Sequence, residues 1–114
     1  MRTLTNLMGS VVTGDMLADA VVTYHRALVA RRRAALVEVP VLAEHDRIRR
    51  AKLSIGWLTG LASSPVGQPN SGTEIEDPAI AIELRSLARQ LRAAASADGG
   101  EHGTRGDIEN PRSS

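Results

Sequence analysis

Between Leu36 and Trp57, apolar residues recur at every second position on both sides of a short polar segment. Val37, Val39 and Val41 alternate with Leu36, Glu38 and Pro40. After Glu44-His45-Asp46-Arg47, Ala51, Leu53, Ile55 and Trp57 alternate with Arg50, Lys52 and Ser54. Side chains of a strand point to opposite faces in turn, so period two over two adjacent runs predicts a β-hairpin with one buried face. Pro40 has no N–H to give to a ladder, which places its strand at a sheet edge or a bulge there.

The flanking segments follow a different period. Leu17, Val21, Tyr24 and Leu28 are three to four residues apart, the spacing of one helix face. This helix is expected to start at Asp15 as N-cap and to run to about Arg32, with Arg31, Arg32 and Arg33 at its negative end. Residues 3–12 are rich in Thr, Leu and Val around Met8-Gly9-Ser10 and read as one bent strand or a small hairpin. A second helix opens at Asp77-Pro78, with Asp at the N-cap and Pro at the first helical position. Ile80, Leu84, Leu87 and Leu91 form its apolar stripe. Residues 63–73 hold two prolines and two glycines and read as a flexible loop, and residues 96–114 as a disordered tail.

These readings assemble into a single small α+β domain over residues 1–95. It has β-α-β-β-α order, with an antiparallel hairpin sheet packed by two helices. Its core must be built almost without rings, because the chain has no Phe, one Tyr and one Trp. A small core and a helix tethered through a long loop favour a homodimer, with that helix on its own sheet or on a neighbour's. Ile80, Leu84, Leu87 and Leu91 are then the candidate protein interface.

Composition narrows the chemistry. The absence of cysteine removes disulfides, thiolate metal sites and a Cys nucleophile. His25, His45 and His102 lie in separate segments with no metal-site spacing, so no metal or cofactor is expected. There is no G-x-S-x-G, S-x-x-K or phosphate-binding glycine motif. Lys52, the sole lysine, falls on the outer face of its strand rather than in an apolar pocket. Glu74, Glu76 and Asp77 at a helix start read as capping residues rather than an acid–base pair. Arg105-Gly106-Asp107 is too short a match to carry an adhesion role. No apolar run approaches the length of a membrane span. Residues 4–16, broken by Thr, Asn, Gly, Ser and Asp, give no signal-peptide core between Arg2 and Ala18-Asp19-Ala20, so the expected location is the cytoplasm.

Charge is uneven. Residues 1–60 carry nine basic and five acidic side chains, and residues 61–114 five basic and eight acidic. Arg31, Arg32, Arg33, Arg47, Arg50 and Lys52 lie in the hairpin or at its entrance and form a candidate basic face for nucleic acid or another anionic partner. The sequence therefore supports three functions: a non-enzymatic, self-associating protein-interaction module; a nucleic-acid-binding accessory protein; and a small enzyme or ligand-binding domain with a pocket near Tyr24, His25 and Trp57.

Overall fold

A computed structural model describes residues 1–66 and 74–102. The chain is an α+β protein. Its elements are β1 (Arg2–Asn6), β2 (Gly9–Thr13), α1 (Asp15–Ala30), β3 (Ala34–Leu42), a short 3-10 turn (Glu44–Asp46), β4 (Ile48–Gly56), β5 (Ala62–Pro65) and α2 (Pro78–His102). β1 is the centre of an antiparallel sheet of order β2-β1-β5, and β3 and β4 form a separate antiparallel ribbon.

The N-terminal Thr/Val segment is a hairpin, with Leu4 opposite Val11 and Asn6 opposite Gly9. The expected loop over 63–73 begins later than its composition suggests. Ser63, Ser64 and Pro65 pair with Leu4, Thr3 and Arg2. Serine favours no strand by itself, so tertiary bonds decide. Arg2 donates from Nε to Ser63 Oγ at 2.7 Å and from Nη2 to Ser63 O at 3.2 Å. The remainder of that loop, residues 67–73, lies outside the described residues.

α1 begins after Gly14, not Asp15, as its cap. The cap supplies no side chain; instead Glu74 Oε2 accepts from the Asp15 N–H at the helix start. Gly14 has no room for a side chain, since a Cβ there would lie 1.8 Å from Ile75 O. The helix ends at Ala30, ahead of the arginine triplet. Arg33 N–H bonds Leu28 O at 2.9 Å and Arg32 N–H bonds Val29 O at 3.1 Å. This is the Schellman closure, and it puts Arg32 at φ 54, a position glycine usually fills.

α2 starts as its sequence predicts. Asp77 Oδ1 accepts from Ile80 N–H at 3.2 Å, and Pro78 is the first helical residue. The helix continues to His102, taking in Ser96–His102 from the segment read as a tail. Ala93, Ala94, Ala95 and Ala97 carry no apolar period, but alanine is the best intrinsic helix former. Residues 103–114 lie outside the described residues.

The core joins both sheets to both helices. Leu17, Val21, Tyr24 and Leu28 are all buried, as are Val37, Val39, Val41 and Ile55 of the ribbon. Ala81, Leu84 and Ala88 of α2 are buried against this core, the two alanines permitting close approach. An Arg85–Asp19 ion pair at 2.8 Å ties α2 to α1.

Backbone polarity along the ribbon decides which edge of β4 is bonded. Thr13 Oγ1 donates to Pro40 O at 2.8 Å, so Pro40 turns its carbonyl away from β4. N–H and C=O of one strand residue point the same way, so the missing Pro40 N–H costs the β3–β4 ladder nothing. The odd-numbered residues of β3 and β4 therefore bond one another. The bonds Ala43 N–H to Arg47 O and Trp57 N–H to Arg33 O, just outside the ribbon, keep that parity. The even-numbered residues of β4, from Ile48 to Gly56, aim their backbone groups outward.

Candidate protein-interaction site

The even-numbered edge of β4 is closed at one end by side chains. Asn6 Nδ2 donates to Ser54 O at 3.1 Å. His25 Nε2 lies 3.1 Å from Gly56 O and 2.9 Å from Thr59 O, within hydrogen-bonding distance of both. These contacts bring two turns to the same end of the ribbon. One is Leu7-Met8, held because Met8 N–H bonds Asn6 Oδ1 at 2.8 Å. The other is Trp57-Leu58, reached through Gly56 at φ 148; a Cβ on Gly56 would sit 2.5 Å from Arg33 O, so glycine is required. Leu36 lies on β3 directly opposite Ser54.

The result is an apolar end. Leu7 is 84% exposed, Met8 83%, Leu58 69%, Leu36 64% and Trp57 48%. Single exposed apolar residues are ordinary, but five toward one end of a ribbon are a set of the kind found at protein contact surfaces. The alternation from Ala51 to Ile55 placed Trp57 on the buried face. It lies instead one residue past the strand, in the turn.

Toward the other end of β4 the edge is open. Among the described residues, no strand other than β3 pairs with β4, so Ile48, Arg50 and Lys52 present their outward N–H and C=O groups to solvent. A cleft of about 510 Å³ runs beside this edge, lined by Met8, Val11, Arg49, Ala51 and Leu53 among others.

The six basic residues expected to form one face are divided. Arg32 and Arg33 are exposed, and Arg31 half-buried, at the Gly56 end of the ribbon; Arg47 follows the 3-10 turn at the far end. Eight strand steps separate those ends, about 26 Å. Arg50 and Lys52 share the outer face, as the alternation predicts, but Glu38 stands directly opposite Lys52. Glu38 and Glu83 line one cleft with Arg50.

The apolar stripe of α2 packs within the same chain. Leu84 is buried, and Ile80, Leu87 and Leu91 are half-buried against the core. Tyr24 and His25, adjacent on α1, face different clefts. Tyr24 lines the one with Ile80, Leu84 and Glu83, while His25 lines a groove with Arg2, Asp19, Arg26 and Ser63. Among the described residues no three His, Asp or Glu side chains are grouped to hold a metal. No described helix is long and apolar enough to cross a membrane.

The exposure of Leu7, Met8 and Leu58 had no signature in the sequence, since apolar turn residues look like any others until the turns are brought together. Comparisons with protein-family models, with curated proteins and with solved structures found no match to the chain.

Proposed function

We propose that this chain is a non-enzymatic, self-associating protein-interaction module. It associates through the apolar end formed by the Leu7-Met8 and Trp57-Leu58 turns with Leu36. The supporting observation is the high exposure of these five side chains toward the Ser54–Gly56 end of the ribbon, while the apolar stripe of α2 is taken up by its own core. Tryptophan is among the residues that most often anchor protein contacts, and methionine is enriched in them. A two-fold pairing brings the same end of two chains together, as most homodimers do.

Light scattering after size exclusion tests this. The wild-type chain is expected at twice its 12.1 kDa mass. The double variant Met8→Asp, Leu58→Asp is expected at the single mass with an unchanged circular dichroism spectrum, because both side chains are exposed turn residues. A wild-type protein that runs as a monomer removes self-association through this end. Retention of the dimer by the variant removes this surface as its interface.

A further inference from the structure

We infer that the open edge of β4 between Ile48 and Lys52 receives an extended acidic peptide as an added strand, a second binding activity beside the self-association surface, with Met8 and Leu36 where the two adjoin. An unpaired strand edge offers a row of donors and acceptors to any extended chain that fits it. Here the even-numbered backbone groups provide that row. The Asn6 bond to Ser54 O and the His25 contact with Gly56 O stop it at Lys52.

Charge selects the occupant. Arg50 and Lys52 stand on one face of the edge, Arg49 on the other, and Arg47 precedes them. A second copy of β4 laid antiparallel on this edge would set Arg50 and Lys52 against their own kind, and like charges directly opposite destabilise a strand pair. Residues 103–114 of this chain hold only the three-residue alternation Asp107-Ile108-Glu109, which Pro111 cuts short and which Arg105 and Arg112 flank with charge of the same sign as Arg50 and Lys52. A foreign strand with Asp or Glu at alternate positions meets Arg50 and Lys52 in register. Its intervening side chains then fall on the face of Ala51 and Leu53, where the cleft with Met8 and Val11 takes apolar groups. The preferred ligand is therefore an extended segment alternating acidic and apolar residues. Nucleic acid fits less well, because single strands stack their bases on aromatic rings and the chain's one tryptophan lies at the far end of the ribbon.

The test uses the full chain and a labelled eight-residue synthetic peptide with Glu at alternate positions and Val or Thr between, read by fluorescence anisotropy. Saturable binding is expected, weakened about tenfold or more by Arg50→Glu with Lys52→Glu, and restored in that variant by a peptide bearing Lys for Glu. Two consecutive prolines at the peptide's centre should abolish binding, because one of them removes a ladder donor. Equal binding of the proline peptide overturns strand addition in favour of simple charge attraction. Tighter binding of a single-stranded oligonucleotide, lost in the same double variant, overturns it in favour of nucleic acid. No binding of the acidic peptide by a chain that light scattering shows to be dimeric overturns this inference alone. Binding by a monomeric chain upholds it while self-association fails.

Discussion

Arg32 occupies a left-handed position in the Schellman closure of α1, with φ 54. An L side chain meets a steric cost there that glycine avoids. Its side chain is exposed, so replacement removes little packing. Arg32→Gly is expected to raise stability by about 0.5–1 kcal/mol, read as a higher midpoint in urea with an unchanged slope. Gly14 lies at the opposite limit. A methyl group there would sit 1.8 Å from Ile75 O, at the junction that also carries the Glu74 bond to the α1 N-terminus. Gly14→Ala must push the 74–77 segment off the helix start, and should lower stability by about 2 kcal/mol or more. The sequence marks neither site. Arg32 belongs to a triplet that reads as favourable charge at a helix end, and Gly14 reads as an ordinary breaker.

Legibility at the scale of elements depends on whether the determinant is local. The period of α1, the alternation of β3 and β4, and the Asp77-Pro78 start of α2 are local patterns, and each stands where the chain places it. β5 is not local, because Ser63 and Ser64 become a strand only through pairing with β1 and the two Arg2 bonds to Ser63. The apolar end is still less so, arising from two turns that are remote in sequence and joined by the Asn6 and Ser54 groups. The two faces of α2 give the sharpest check. Leu84 is 5% exposed and Ile82 64%. Leu84→Ala is expected to cost about 2–4 kcal/mol, while Ile82→Ala should stay within about 0.5 kcal/mol. Comparable losses from both in denaturant titrations would show that α2 packs with a different face.

Across the whole molecule, three segments distant in sequence meet at one ammonium group. The Met1 amine lies 2.8 Å from Asp15 Oδ1, at the start of α1, and 2.9 Å from Glu74 Oε1, ahead of α2. Hydrogen bonding to Asp15, and then to Glu74, holds the amine pKa above the ordinary range for a chain terminus. A raised folded-state pKa stabilises the fold fully at pH values below the ordinary terminal-amine range, and this contribution is lost as pH rises through the folded-state value. The melting temperature should therefore fall between pH 7 and the alkaline side of that range. Glu74→Gln should flatten the fall, because it removes one carboxylate from the ammonium while its side-chain oxygen still accepts the Asp15 N–H. Acetylation of the amine should lower the melting temperature at pH 7 and leave a similarly flattened profile. Wild type and Glu74→Gln differ in one side chain alone, so the comparison between them isolates the amine. If wild type and Glu74→Gln lose stability in parallel, the Glu74 contact with the ammonium contributes nothing to closing α1 against the segment that leads into α2.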